Sequence, residues 1–267
     1  MDPVVSAALR LWSPRWSVIV FVLAIAAVYV RGWLRRRDTS RLAAFLGGLA
    51  ALLIALESPL DALDGIFLSA HMTQHLILMM VAPPLLLMGH PWVPLLHGLP
   101  KPLVKEGLGP LLTSKPLRQL AHWLTAMPTT WLIFALSTII WHLPRFYQLA
   151  LRNPMWHGFQ HACFFWTGVL FWWPIIQPEP SRRRWPEWTL IPYLLFADLV
   201  NTALSAFFVF SGRVLYPSYQ ALHLTGLSAL DDQAFAGVIM WVPGSIIYLV
   251  PTIVYAMRLL SPAANAV

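Results

Sequence analysis

Long apolar runs alternate with short polar connections along almost the whole chain. Seven runs, over roughly residues 16–34, 42–57, 69–89, 128–142, 157–176, 188–211 and 234–259, approach or exceed the ~20 residues an α-helix needs to cross a bilayer. A bilayer core holds no water to satisfy backbone amides, so each run is expected to be helical. The pattern predicts an all-α polytopic membrane protein, a single integral-membrane domain over residues 1–267 with seven transmembrane helices in a bundle. Short connections make consecutive helices neighbours. The fourth run, centred on Trp131 to Trp141, is short without its flanks. Pro83-Pro84 falls inside the third and is expected to kink it. The first run is too long for a signal-peptide core and strong positive charge follows it, so it reads as a retained span.

Composition supports this class: 58% of residues are hydrophobic and 11% charged, far from the soluble average. The net charge of +7 invites a nucleic-acid partner, but its placement argues for a lipid bilayer and against nucleic acid. Basic residues sit in short blocks between the runs, as in cytoplasmic loops of membrane proteins. Arg31, Arg35, Arg36, Arg37 and Arg41 flank the first connection, and Lys101, Lys105, Lys115 and Arg118 lie in the third. Arg182 to Arg184 lie in the fifth, and Arg258 stands at the end of the seventh run, near the C-terminus. Arg10, Arg15, Arg145, Arg152 and Arg213 take the other side, so thirteen of eighteen basic residues share one face. The N-terminus is therefore expected outside and the C-terminus in the cytoplasm. The long third connection, rich in Pro and Gly, is read as lying along the cytoplasmic surface.

This topology sorts the nine histidines. His71 and His75 open the third run, His142 closes the fourth, His157 and His161 open the fifth, and His223 precedes the seventh. All six fall at the outer end. His90, His97 and His122 belong to the cytoplasmic connection. Residues four apart share a helix face, so each of the two pairs presents two imidazoles together. Imidazole binds copper, zinc, iron and nickel, and copper(I) also favours thioether sulfur. The expected metal pool is His71, His75, His157 and His161, with His142 next and Met72 behind. Met79 continues the 71–75 stripe inward, Met155 precedes the fifth run and Met240 lies in the outer part of the seventh, although methionine in an apolar helix is ordinarily packing. A single such histidine pair can arise by chance at an interface; two pairs and a fifth histidine at one depth favour a metal or haem site.

Asp198, in the middle of the sixth run, is costly there and reads either as a functional relay or as a hydrogen-bonded helix contact. Asp231 and Asp232 precede the seventh run, where acids favour a helix N-terminus; Asp232 is also a candidate to orient an imidazole. The lone Cys163 cannot form an intramolecular disulfide and is read as packing. Trp172, Trp173, Trp185 and Trp188 match an interfacial aromatic belt. No nucleotide loop, nucleophile elbow or HExxH pattern is present.

Several ordered motifs resemble the multi-span CtaG family of cytochrome c oxidase assembly factors. They are His71-Met-Thr-Gln-His75 through Ala82-Pro-Pro-Leu-Leu-Leu-Met-Gly89, Trp141-His-Leu-Pro144 with Tyr147, and the pair His157 and His161. Phe171-Trp-Trp-Pro174, Leu215-Tyr-Pro-Ser-Tyr219 and Asp232-Gln233 with Ala236-Gly-Val-Ile-Met-Trp241 complete them, over about residues 57 to 245. Within that family an acid often precedes the second histidine of the fifth span. Gln160 stands there in this chain, so no carboxylate role is carried over.

The resemblance implies a bacterial inner-membrane protein that serves maturation of haem–copper oxidases, with cytochrome c oxidase subunits as partners. Together with the histidine sorting, it gives the expected function: a metallochaperone that binds copper(I) at the outer face and passes it on without catalysing a reaction. Three alternatives stay open: a haem-binding redox protein, a copper or proton transporter working through Asp198, and an assembly scaffold without metal.

Overall fold

A computed structural model describes residues 3–35, 37–220 and 227–261. Arg36 and His223 lie outside the described residues. The chain is all-helical, with no strand among the described residues. The first half holds α1 (Pro3–Leu11), α2 (Trp16–Trp33), α3 (Thr39–Glu57), α4 (Pro59–Leu63) and α5 (Leu68–Leu76). A π-helical turn (Ile77–Val81) joins α5 to α6 (Ala82–Met88), and α7 (Trp92–Gly98) follows. A second π-helical stretch (Leu103–Leu108) leads into α8 (Gly109–Thr113) and α9 (Lys115–Leu124). The second half holds α10 (Met127–His142), α11 (Pro144–Arg152), α12 (Pro154–Ile176), α13 (Leu190–Phe210) and α14 (Ala229–Leu260).

A helix lies over each of the seven apolar runs. Five stretches are long and apolar enough to cross a membrane: Trp16–Trp33, Thr39–Leu63, Leu68–Met88, Glu187–Phe210 and Ala229–Leu260. A sixth arises if α9 and α10, bent by 65° at their junction, form one span. The 23-residue α12 is long enough, but its histidines and tryptophans leave it less apolar than these. The long third connection is largely helical. The outward surface agrees with a multi-pass membrane protein. On α14, Phe235, Val238, Val242, Ile246, Leu249, Val250, Ile253 and Met257 are all exposed at helical spacing. Water would not tolerate so continuous an apolar stripe, and lipid does.

Three contacts set the frame around the site. The helices α2 and α7 touch through glycine: a Cβ on Gly98 would lie 1.8 Å from the Val28 carbonyl oxygen, and one on Gly32 as close to that of Pro94. Small residues let backbones approach in this way in membranes. Tyr29 of α2 stacks on Phe45 and donates to the Gly89 carbonyl at 2.7 Å, tying α2 and α3 to the end of α6.

The third contact concerns the break between α5 and α6. The Met79 carbonyl would bond residue 83 in an α-helix or residue 84 in a π-helix, and both are prolines without an N–H. Trp172 of α12 supplies the missing donor, its indole Nε1–H reaching Met79 O at 3.1 Å. Gly168, one turn earlier on α12, lets the helices close to that distance, since a Cβ there would lie 2.8 Å from the same oxygen. The expected proline kink is thus a π-helical turn locked to α12. The packing brings α12 against the third span, with α14 covering α5.

Candidate metal centre

Local sequence places each histidine. Asn153 caps α12 by accepting from the N–H groups of Met155 and Trp156, and Pro154 begins the helix with its fixed φ. His157 and His161 then follow on one face. The helix α10 ends at His142 because Leu143 precedes Pro144 and is extended (φ −66°, ψ 133°). The His142 Nδ1 is 2.7 Å from the Thr138 carbonyl oxygen, so Nδ1 carries the proton and Nε2 offers a lone pair. The N-cap of α5, Phe67, has no capping side chain. Asp232 of α14 fills that role by accepting from Leu68 N–H at 2.6 Å and from the Ser69 hydroxyl at 2.5 Å.

The two pairs and the fifth histidine meet. The His71 ring lies 4.3 Å from His75, 5.1 Å from His157 and 5.9 Å from His161, centroid to centroid. His157 and His161 are 4.2 Å apart, and His75 stands 5.5 Å from His161 and 6.0 Å from His142. In His71, His157 and His161 one ring nitrogen from each falls within 4.8 Å of the others. All five Nε2 atoms, and Nδ1 of His75, are buried without a hydrogen-bond partner among the described residues. A buried polar atom left unpartnered costs about 1–3 kcal/mol. Six such atoms in one cluster are expensive unless a ligand engages them. Three neutral imidazoles converging on one point suit a copper or zinc ion with a coordination position left for exchange.

Polar groups around the triad hold it in place. The Tyr219 hydroxyl is 3.4 Å from His71 Nδ1 and donates to the Asp64 carbonyl at 2.8 Å, with the Tyr147 hydroxyl 3.3 Å away. Burial pushes both phenols upward in pKa, so they stay neutral. The Asp64 carboxylate lies 3.5 Å from His157 Nε2. Burial, with Asp61 nearby, pushes its carboxyl up to about 7. At the same end, Arg15 binds Glu57 at 2.9 Å and Asp61 at 3.1 Å. Gln160 is fully buried between the two α12 histidines, its amide atoms unpartnered among the described residues.

The remaining candidates divide. Met72, Met79 and Met240 do not join the triad but line a cavity beneath it, with His75 and His142. Met155 is 73% exposed and faces away. Asp198 accepts from Ser245 of α14 at 2.7 Å, a helix-to-helix contact apart from the histidines. The neighbouring Asn201 donates instead to the Met240 carbonyl at 3.0 Å. Among the described residues Asp232 contacts no imidazole, and it acts on the site through the start of α5. Asp64, Gln160 and Tyr219 had no spacing signal of their own; the tyrosines Tyr147 and Tyr219 stood only within the resemblance motifs.

A family model described as cytochrome c oxidase caa3 assembly factor matches residues 27–261. The chain belongs to this family. It is 32% identical over 254 residues to uncharacterized proteins of Mycobacterium bovis and Mycobacterium tuberculosis, covering 90% of this chain and 38% of each relative. An uncharacterized protein of Mycobacterium leprae is 29% identical over 228 residues, 80% of this chain and 34% of its own length. The chain thus spans little more than a third of the curated relatives it matches. No solved structure gives a significant match.

Proposed function

We propose that this member of the caa3 assembly factor family binds copper(I) at the outer end of its helix bundle and delivers it to a cytochrome c oxidase subunit during maturation. The observation that carries the reading is the triad of His71, His157 and His161, whose nitrogens converge to within 4.8 Å. The family supplies the client, a cytochrome c oxidase. Copper here is cargo, so the protein's work is to hold and release it. Neutral imidazoles suit a monovalent ion in a poorly hydrated site. The His157 side chain is 24% exposed and forms the entry and exit edge, while His71 is fully buried and anchors the bound state. No bond-making chemistry is required of the chain.

The accompanying topology has seven spans in a bacterial inner membrane, with α12 as the fifth. The N-terminus lies outside and the C-terminus in the cytoplasm, following the basic residues. In that arrangement the histidines, Arg15, Glu57, Asp61 and Asp64 share the outer end. The exposed Leu117, Leu120 and Trp123 of the bent α9 then rest at the cytoplasmic interface. A haem finds less support, because the histidine rings pack directly against one another, 4.2 Å apart for His157 and His161 and 6.0 Å for His75 and His142, and leave no gap for a porphyrin between them. A transport path through Asp198 finds less support as well, since Ser245 engages that carboxylate.

Metal content and a visible spectrum of detergent-purified protein after copper(I) loading test the reading, with wild type beside His71→Ala/His157→Ala and His97→Ala. Less copper retained by the triad variant than by wild type and His97→Ala, with no Soret band, is the expected result. A Soret band that the triad substitutions abolish would make the protein a haem carrier. Absence of both metal and haem would leave a scaffold.

A further inference from the structure

Beneath the triad, between α5, α10, α13 and α14, lies a cavity of about 40 Å³ with Met72, Met79, Met80, Met240, His75 and His142 in its wall. On the third span Met72, His75, Met79 and Met80 recur at i, i+3, i+7 and i+8, one stripe of a helix turned toward this space. Methionine in a core ordinarily fills gaps, and here four of them leave one. Three ring nitrogens at this cavity, both of His75 and Nε2 of His142, are buried and have no hydrogen-bond partner among the described residues. His75 is 3% exposed and His142 6%.

We propose that this cavity is a second copper(I) site, built from the thioethers of Met72, Met79 and Met240 and the imidazoles of His75 and His142. It rests on the copper reading of the triad for its cargo, and it shares no ligand with the triad. Thioether sulfur selects soft monovalent copper over zinc. No carboxylate stands in the cavity wall, so a divalent ion would be left with uncompensated charge in a medium of low dielectric. The His75 ring, 5.5 Å from His161, stands between the two sites, so an ion moves from one to the other past a single imidazole. The inner site keeps copper(I) shielded from water and oxygen, and the triad exchanges it with the outside.

Anaerobic titration of the full chain in mild detergent with copper(I), and separately with zinc(II), together with X-ray absorption of the copper-loaded protein, tests this. Wild type is expected to bind two copper(I) ions with sulfur in the copper coordination shell, and one zinc. Met72→Leu/Met79→Leu/Met240→Leu, which preserves volume, is expected to bind one copper with nitrogen ligands only and an unchanged melting temperature. His71→Ala/His157→Ala is expected to keep one copper bound through sulfur. One equivalent of copper in wild type with no sulfur scattering would overturn the inner site and leave the triad intact. Sulfur-bound copper at the same stoichiometry in wild type and the triad variant would support the inner site and overturn the triad.

Discussion

Asp232 and Leu68 stand 164 positions apart, and the Asp232 carboxylate accepts the Leu68 N–H at 2.6 Å. The first free amides of the helix that carries His71 and His75 are therefore satisfied from α14, the last helix of the described chain. A carboxylate at that position also complements the positive end of the helix dipole. The α14 helix has its own cap in Ser228, which accepts from Asp231 N–H at 3.1 Å. The two adjacent acids thus serve different helices.

Replacing Asp232 with Ala leaves the α5 amides buried and unpartnered, and should destabilise the protein by about 2 kcal/mol. Asp232→Asn keeps an acceptor and should cost less than half of that. Thermal unfolding in detergent of the two variants beside wild type checks the order; equal stability in all three would remove this cap from the account of the site.

Copper(I) should raise the melting temperature of wild type, because a ligand at a hundredfold excess over its Kd adds about 2.7 kcal/mol. A copper(I) chelator should reverse the shift. In His157→Ala/His161→Ala the shift should shrink to less than half, and in His97→Ala it should be unchanged. A full shift in the double variant would mean that the ion binds elsewhere.

Much of this arrangement was legible in the chain, for reasons that differ by element. The four-residue spacing of His71 with His75 and of His157 with His161 fixes which imidazoles share a helix face. That the two faces meet depends on α12 packing against the third span, and no local pattern encodes such a pairing. Pro83-Pro84 announced a break, but its form depends on Trp172, whose role as a donor lies 93 positions away. Trp172 itself reads as an interfacial belt residue from its neighbours, whereas it is 4% exposed inside the bundle. Met72 resembled a sixth outer ligand because it adjoins His71, yet one residue is a rotation of about 100°, which turns it to the inner cavity.

Trp172→Phe removes the only donor recorded for the Met79 carbonyl among the described residues and should cost about 1–3 kcal/mol. Gly168→Ala, whose Cβ would lie 2.8 Å from that oxygen, should cost at least as much. Unfolding midpoints of the two single variants and the double variant measure the coupling. They should fall short of additive, since both substitutions act on one contact.

Tyr219→Phe should weaken copper(I) binding by about tenfold, because the hydroxyl that faces His71 and anchors to the Asp64 carbonyl is lost. Competition with a chromophoric copper(I) chelator gives the affinity. An unchanged Kd would assign Tyr219 to packing alone.

The π-helical turn at Ile77–Val81 is the trace of one extra residue within an α-helical frame, with the Ala82 N–H reaching back five positions to Ile77. Deleting that residue would swing α6 by about 100° relative to α5. Gly89, which receives the Tyr29 hydroxyl, and Leu86, which fits against Gly48, would then turn away from α2 and α3, while His71 and His75 kept their places. The span is in effect two rods spliced out of phase: one half carries the histidines, the other anchors the bundle, and the splice lets each keep its own alignment.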